Sequence, residues 1–203
     1  MIPAIVLAAG KSSRMGRTKA LLPAGPSGET FVNRVIRVLR EGGADAMIVV
    51  IGGDAAAVRA SLPRDDASLS VVENPHFEDG QLSSLHVGLA AVEQRYDGIE
   101  AVMVTLVDLP LISAATVRAV FDAFREHPQA PLVRPRRAGR YGHPVIFNRS
   151  IFAELRRADP SKGAKPVVQA HAAEEVRVDV DDPGAFADID TPEDYDRIIR
   201  PQV

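Results

Sequence analysis

The chain has 203 residues, and 46% of them are hydrophobic, which is enough for a packed core and too many for a disordered chain. The formal net charge of -3 argues against a general nucleic-acid-binding protein, so any affinity for phosphate must come from local patches. The absence of cysteine excludes disulfides, thiolate metal ligands and a cysteine nucleophile, and it fits a cytoplasmic protein. No apolar run approaches the ~20 residues of a membrane span, and Met1 leads straight into a strand, so we expect neither a membrane segment nor a signal peptide.

The first predicted strand, residues 5–7, leads into a loop of small and basic residues over positions 8–19. A Gly-rich loop at the carboxyl end of a first strand can present several backbone N–H groups to phosphate oxygens, and Gly10 allows close approach. Arg14 offers a planar fork of donors and Lys19 a compact charge, so the loop suits a polyphosphate. Its glycine spacing matches neither the Walker pattern nor the dinucleotide fingerprint.

Strand and helix signals alternate after this loop. Continuous apolar runs predict buried strands, and Thr30 and Ser113 are candidate helix caps. This alternation predicts one α/β domain, residues 1–203, with a mostly parallel sheet, helices on both faces and ligands outside the carboxyl ends of the strands. The predicted strands are residues 47–51, 69–72, 101–107, 131–136, 145–147 and 176–180, and the predicted helices include residues 31–41, 55–62, 85–92, 114–124, 150–157, 166–171 and 192–199.

Residues 7–22 resemble the signature of the MobA-like NTP transferase family, Leu-x-Ala-Gly-x-Ser-x-Arg-Met-Gly-x-x-Lys-x-Leu-Leu. The resemblance extends over almost the whole chain and implies a three-layer Rossmann-like nucleotidyltransferase fold. The Ala-Ala-Gly form of the loop is most similar to the molybdenum cofactor cytidylyltransferase branch. The resemblance implies nucleotide binding by Leu7, Ala8, Ala9, Gly10, Ser12, Ser13, Arg14 and Lys19.

Two acidic segments are candidates for metal binding. Asp108 follows the most hydrophobic predicted strand, where an aspartate either caps the following turn or holds Mg²⁺ beside a phosphate. The phosphate loop favours the metal, and the resemblance implies the same role for Asp108. It also implies that Asp190 completes the metal site, with Asp188 as the alternative and Thr191 as a helix cap in either case. We expect the nearby carboxylates to be solvated loop charges, namely Asp179, Asp181 and Asp182.

The segment 80–85 begins another predicted helix, so its serine hydroxyls and free N–H groups can face one point. The simple alternative is that Ser83 only caps the helix. The resemblance implies that this segment recognises the base and ribose, with Gly80, Ser83 and Ser84 as the binding residues.

A basic segment lies between the predicted strands 131–136 and 145–147. Its charge either keeps a hairpin tip soluble or binds an anionic, phosphate-bearing acceptor. His143 lies in a Gly-His-Pro element similar to one on the acceptor side of the family, and it either bonds the acceptor or has a structural role. The basic side chains here are Arg134, Arg136, Arg137 and Arg140.

The predicted reaction is nucleotidyl transfer, in which an acceptor phosphate attacks the α-phosphate of an NTP and pyrophosphate leaves. Arg14, Lys19 and Asp108 are the predicted catalytic residues, with Mg²⁺ on Asp108 and Asp190. The resemblance implies CTP and molybdopterin as substrates, transient contact with a molybdoenzyme, and no nucleic-acid or membrane partner.

Two alternatives stay open: a sugar- or alditol-phosphate nucleotidyltransferase, and a non-catalytic nucleotide-binding accessory protein for molybdoenzyme maturation. An NAD-type dehydrogenase is disfavoured because the dinucleotide glycine spacing is missing.

Overall fold

The computed structural model describes residues 1–199, and within them eight strands form one sheet in the order β3-β2-β1-β4-β7-β5-β6, with β8 paired to β5. The pairings β1–β2, β1–β4, β2–β3 and β5–β8 are parallel, whereas β7 runs antiparallel to β4 and β5, and β6 runs antiparallel to β5. The strands are β1 (Ala4–Ala8), β2 (Met47–Ile51), β3 (Leu69–Glu73), β4 (Ala101–Leu106), β5 (Leu132–Arg137), β6 (Arg140–Tyr141), β7 (Val145–Asn148) and β8 (Val176–Asp179).

Seven α-helices of the described residues pack on this sheet. They are α1 (Phe31–Glu41), α2 (Ala55–Ser61), α3 (Gln81–Arg95), α4 (Ala114–Glu126), α5 (Phe152–Arg157), α6 (Lys165–Ala170) and α7 (Pro192–Ile198). The α/β fold with a mostly parallel sheet is therefore confirmed. The prediction of one domain over residues 1–203 stays a prediction, and residues 200–203 lie outside the described residues. No helix within residues 1–199 is both long and apolar enough to cross a membrane.

Alternate side chains of β1 enter two different apolar clusters, one on each face of the sheet. Ala4 and Val6 join a cluster that contains the buried residues of α1 and α4. Ile5 and Leu7 join a second cluster that contains the buried residues of α3 and α5. Because side chains of a strand alternate between faces, this division confirms that helices cover both faces.

Three features differ from the sequence-based expectation. Strand β6 has only two residues and is too short to leave a pattern in the sequence, and the antiparallel pairing of β7 with β4 has no local signal because β4 lies in a distant part of the chain. The carboxylate of Asp182 is not a solvated charge, since it accepts hydrogen bonds from Ser113 N (2.9 Å), Thr116 Oγ1 (2.7 Å) and Gly184 N (3.0 Å). Asp182 therefore ties the segment after β8 to the start of α4.

Strands β1, β2 and β4 are parallel neighbours, so the loops that follow them open at one edge of the sheet. The segment before α7 reaches the same edge, because the backbone N–H of Ile189 donates to the carbonyl of Asp108 (3.0 Å). This bond brings two acidic segments together that lie 80 positions apart in the chain.

Candidate active site

A cleft of about 270 Å³ opens at this edge of the sheet. It gathers twelve of the residues that the sequence predicted to bind nucleotide or metal: Leu7, Ala8, Ala9, Gly10, Ser12, Ser13, Arg14, Lys19, Gly80, Ser84, Asp108 and Asp190. Phe77 and Gln81 also line the cleft, and the sequence analysis did not assign them. Their position on either side of Gly80 was the available signal.

Ser12 shapes the first loop. Its φ of 52° lies in the left-handed region, and its carbonyl accepts bonds from Met15 N and Gly16 N, each 3.0 Å long. Its hydroxyl oxygen accepts a bond from Lys19 N (3.0 Å), while the buried Met15 side chain anchors the turn in the core. Ser12 thus fixes the path by which the chain returns Lys19 to the cleft.

Gly10 stands at the open side of the same loop. A Cβ built on Gly10 would meet no protein atom within 4 Å, so packing within the described chain does not require glycine there. Gly52 differs, because a Cβ at that position would lie 2.8 Å from Ala9 O and 2.7 Å from Phe77 Cβ. The tight packing of Gly52 holds the loop that follows β2 against the first loop. The role of Gly10 toward a phosphate stays a prediction.

The cleft floor carries an ion cluster of Arg14, Lys19, Asp108 and Asp190. Lys19 Nζ lies 3.1 Å from Asp108 Oδ2 and also contacts Asp190 Oδ1. Arg14 Nη1 lies 2.9 Å from Asp190 Oδ2. The Lys19 side chain is 11% exposed, whereas that of Arg14 is 70% exposed, so Lys19 lies at the floor of the cleft and Arg14 lies at its mouth.

The donor set of the floor suits a hard divalent cation. Asp108 Oδ1 is buried and has no hydrogen-bond partner among residues 1–199, so a carboxylate lone pair is available there. Within that same range no group of three or more His, Asp or Glu residues forms a complete metal site. Mg²⁺ commonly takes one or two carboxylates and completes its shell with phosphate oxygens and water, so Asp108 and Asp190 fit it.

Asp188 lies beside these carboxylates. Its burial raises its pKa above the ordinary value, and the negative charges of Asp108 and Asp190 raise it further. Asp190 is held by the start of α7, because its N–H donates to Asp194 Oδ2 (3.3 Å) while Thr191 and Asp194 form a reciprocal capping box. The capping role predicted for Thr191 is confirmed, and it fixes the position of Asp190.

The segment before α3 is organised by Asn74, which is buried. Its Nδ2 donates to Ser83 Oγ (2.8 Å) and Ser84 Oγ (3.0 Å), and its Oδ1 accepts from His76 N (2.9 Å). Ser84 lines the cleft, whereas Ser83 does not and donates its hydroxyl to the Gly80 carbonyl (2.8 Å). Ser83 therefore stabilises the first turn of the helix, and Gly80 occupies the cap position.

His143 does not line the cleft. Its Nδ1 faces the carbonyl of Val104 at 3.4 Å, and burial lowers its pKa below the ordinary value despite the opposing effects of that carbonyl and of Asp108. Of the nearby arginines, Arg134 pairs with the buried carboxylate of Glu175 and Arg136 pairs with Asp179. These contacts support a structural role for His143 and Arg134, and acceptor binding by His143 stays a prediction.

Curated relatives fall into two kinds. The bifunctional protein GlmU of Sinorhizobium medicae is 32% identical over 121 residues, which cover 59% of this chain and 25% of that protein. This chain therefore aligns with about a quarter of the length of that relative. Nicotine blue oxidoreductase of Paenarthrobacter nicotinovorans is 28% identical over 207 residues, which cover 98% of this chain and 96% of that protein.

Solved structures resemble the whole chain. Rv0371c of Mycobacterium tuberculosis is 34% identical over the full length of both chains, with a TM-score of 0.80. A complex of Rv0371c with manganese is 33% identical over 99% of both chains, with a TM-score of 0.77. A nucleotidyl transferase from Methanothermobacter is 25% identical over 98% of this chain and 96% of its own, with a TM-score of 0.80.

The family model of the MobA-like NTP transferase domain matches residues 4–176. That range contains the first loop, the β4 loop with Asp108 and the segment before α3, so it covers most of the cleft described above. The resemblance inferred from residues 7–22 is therefore confirmed, and this chain belongs to the MobA-like NTP transferase family.

Proposed function

We propose that this chain is a Mg²⁺-dependent cytidylyltransferase that joins CTP to molybdopterin and releases pyrophosphate. The observation that carries the proposal is the meeting of Lys19, Asp108 and Asp190 at the floor of the cleft bordered by the first loop. Family membership supports nucleotidyl transfer between small molecules. CTP and molybdopterin are the finer part of the proposal, and the Ala-Ala-Gly form of the loop supports them.

The first loop and its two cations are assigned to the triphosphate. Backbone N–H groups near Gly10 and the N-terminus of α3 face the same cleft, and both suit anionic oxygens. Lys19 is placed for the α-phosphate because it lies at the floor. Arg14 is placed for the β- and γ-phosphates because its exposed guanidinium lies at the mouth.

Asp108 and Asp190 are assigned to the divalent cation. When bound, Mg²⁺ would neutralise charge on the phosphate oxygens and act as a Lewis acid toward them. The unpartnered Asp108 Oδ1 supports this assignment, as does the manganese complex of the similar protein Rv0371c.

The transfer step needs no dedicated base. An oxygen of the acceptor phosphate forms a bond to the α-phosphorus, and the bond from that phosphorus to the oxygen bridging the β-phosphorus breaks, so pyrophosphate leaves with the electron pair. A phosphate monoester is already anionic at neutral pH, since its second pKa is about 6. Lys19 would stabilise the charge that develops around the α-phosphate, and Arg14 would stabilise the leaving pyrophosphate.

The preference for cytosine is assigned to Ala9. Ala9 lines the cleft that Gly80 and Ser84 also line. Relatives that transfer guanylyl groups tend to carry glycine at this position, so the methyl group would narrow the base site. Ala9→Gly should reduce the preference for CTP over GTP.

A panel of nucleotides and acceptors tests the function. Purified protein with Mg²⁺ is offered CTP, GTP, ATP or UTP together with molybdopterin, a sugar phosphate or an alditol phosphate, and pyrophosphate is measured. The proposal expects the fastest release with CTP and molybdopterin. Release with a sugar or alditol phosphate alone would assign the chain to that class of nucleotidyltransferase, and CTP binding without release would assign it to an accessory protein.

One relative favours a second candidate function. Nicotine blue oxidoreductase is similar to this chain over nearly the full length of both proteins, so an oxidoreductase is the competing proposal. Reduction of the dye nicotine blue by NADH or NADPH in the presence of the protein distinguishes the two proposals. Turnover of the dye without pyrophosphate release in the panel would replace the cytidylyltransferase proposal.

A further inference from the structure

We propose that a second cleft, next to the triphosphate cleft, binds the phosphate group of the acceptor through Arg140 and Arg197. The inference rests on the proposed nucleotidyl transfer and adds the site from which the nucleophile enters. The ligand class is a phosphate monoester that is dianionic at neutral pH. We call this site the acceptor cleft and define it by Arg137, Arg140, Phe186, Asp188, Asp190 and Arg197.

Its position fits the geometry of the reaction. The acceptor cleft has a volume of about 500 Å³ and shares Asp190 with the triphosphate cleft. In the triphosphate cleft Asp190 faces Arg14 and Lys19, the residues assigned to the leaving pyrophosphate and the α-phosphate. An in-line attack requires the nucleophile to approach the α-phosphorus from the side opposite the leaving group. We assign that approach to the neighbouring cleft, because the two clefts meet at Asp190.

The charge balance of the acceptor cleft favours an anion. It brings three guanidinium groups together with the carboxylates of Asp188 and Asp190. Arg140 also lies close enough to Asp188 to oppose the rise of its pKa. A guanidinium presents a planar fork of donors that matches phosphate oxygens. Arg137 is paired with Asp181, so Arg140 and Arg197 are the two arginines that we assign to the phosphate group.

Arg140 and Arg197 are both held in positions from which they can bind a phosphate. Arg140 Nη2 donates to the carbonyl of Phe186 (3.1 Å), a bond that orients the guanidinium at the cleft wall. Arg197 Nη2 donates to Asp194 Oδ1 (2.6 Å) in an exposed pair within α7. Exposed pairs of this kind contribute little to stability, so a dianionic phosphate can compete for Arg197.

The arginines of the hairpin between β5 and β7 therefore divide into two sets. Arg134 and Arg136 point to carboxylates at β8, and Arg134 also stacks on Tyr141 at 3.7 Å, so these two serve the packing of the sheet. Arg137 and Arg140 line the acceptor cleft, where Arg137 also pairs with Asp181 (3.1 Å) and Arg140 has no carboxylate partner of this kind within residues 1–199. Arg197 joins them from α7, which no sequence pattern connects with the hairpin.

The test compares two variants with a matched control. Arg140→Gln and Arg197→Gln should each raise the KM for molybdopterin about tenfold or more, as expected for the loss of a charge-assisted hydrogen bond, and leave the KM for CTP within about twofold. Arg125→Gln is the control, because Arg125 pairs with Asp122 at i,i+3 on α4 just as Arg197 pairs with Asp194 on α7. The control should change neither KM.

Direct binding keeps the test independent of turnover. Molybdopterin and simple phosphate monoesters are titrated calorimetrically into protein that holds Mg²⁺ and α,β-methylene CTP. The inference expects binding to the wild type and to Arg125→Gln, and binding at least tenfold weaker to both cleft variants. Equal binding by all proteins, or no binding of any monoester to the wild type, would overturn it. Binding that follows this pattern without pyrophosphate release in the panel would reject the proposed function and keep the acceptor cleft.

Discussion

Lys19 is buried between two carboxylates that the proposed chemistry assigns to a metal. A buried lysine near Asp108 and Asp190 offsets charge that would otherwise be costly to hold in the floor of a cleft. The same ammonium is assigned to the α-phosphate. Under this assignment Lys19 and the divalent cation compete for Asp108 and Asp190. An incoming triphosphate would relieve that competition, because the Lys19 ammonium would bind phosphate oxygens in place of the carboxylates.

Substitution of Asp108 tests the metal assignment. Asp108→Asn should reduce pyrophosphate release by about 10²-fold or more, because it removes a charge aimed at the transferring phosphate while it keeps the side-chain shape. Steady-state rates at saturating CTP, with circular dichroism as the check on folding, measure the effect. Asp122→Asn on the surface of α4 is the control and should retain the wild-type rate. Wild-type turnover by Asp108→Asn would remove this residue from the chemistry.

Substitution of Lys19 tests the competition itself. Lys19→Met should bind Mn²⁺ about tenfold more tightly than the wild type in the absence of nucleotide, since the carboxylates lose their resident cation. The same variant should bind CTP more weakly. The concentration of free Mn²⁺ is measured by electron paramagnetic resonance. Its value without nucleotide gives the affinity for Mn²⁺, and its change as CTP is added in steps gives the affinity for CTP. Lys162→Met, an exposed lysine outside the cleft, is the control. Unchanged or weaker Mn²⁺ binding by Lys19→Met would contradict the shared use of these carboxylates.

At the scale of elements, Asp182 joins the start of α4 to the segment after β8. Burial by itself raises the pKa of Asp182, but the hydrogen bonds from Thr116, Ser113 and Gly184 outweigh it and hold the pKa below its ordinary value. A carboxylate with a lowered pKa in the folded state stabilises the protein above its unfolded pKa, and this contribution is lost as the pH falls through the folded pKa.

The resulting prediction concerns stability and pH. Asp182→Ala should lower the free energy of unfolding at neutral pH by about 1–2 kcal/mol, because it removes acceptors for the start of α4. Asp182→Asn should also be less stable than the wild type at neutral pH, and this gap in the free energy of unfolding should close as the pH falls through the lowered pKa of folded Asp182. Urea unfolding across that range measures both. A gap between wild type and Asp182→Asn that stays constant with pH would show that the charge contributes nothing.

The same scale shows what the sequence could predict. Continuous apolar runs predicted β2 and β4 because strands buried on both faces leave that local pattern. Residues such as Asp108 could be placed near the first loop because parallel strands end at one edge of a sheet. The antiparallel pairing of β7 with β4 and the contacts of Asp182 at the start of α4 could not be predicted, since each depends on a partner from a distant part of the chain.

The same distinction between local patterns and contacts with distant residues applies to the candidate site. The loop signature, Asp108 and Asp190 were recognised by their resemblance to family motifs, since Asp190 stands directly before Thr-Pro-Glu-Asp, and their roles toward nucleotide and metal stay predictions. The resemblance implied nucleotide binding by both Ser83 and Ser84. Ser84 lines the cleft, whereas Ser83 donates to the Gly80 carbonyl, and nucleotide binding by Ser83 stays a prediction. The side of a helix that faces a ligand is set by how the helix packs on the sheet. Gly88 sets that packing here, since a Cβ there would lie 2.7 Å from Ile5 Cγ2.

At the scale of the whole molecule, the described chain has two parts with different roles. The parallel strands β1 to β4 bring together the loops that carry the phosphate residues and Asp108. The antiparallel hairpin from β5 to β7, with β8 and α7, supplies the acceptor cleft and returns Asp190 to the floor. Donor and acceptor would thus be held by different parts of the chain, with Asp190 between them.

Anomalous diffraction from Mn²⁺ in crystals of the protein with α,β-methylene CTP tests the central claim most directly. We expect a manganese peak in contact with the carboxylates of Asp108 and Asp190 and with phosphate oxygens of the nucleotide. We also expect that Lys19 moves from the carboxylates to the α-phosphate and that Arg14 moves to the terminal phosphates. A nucleotide bound outside this cleft, or manganese bound elsewhere while Lys19 stays on Asp108 and Asp190, would contradict the claim.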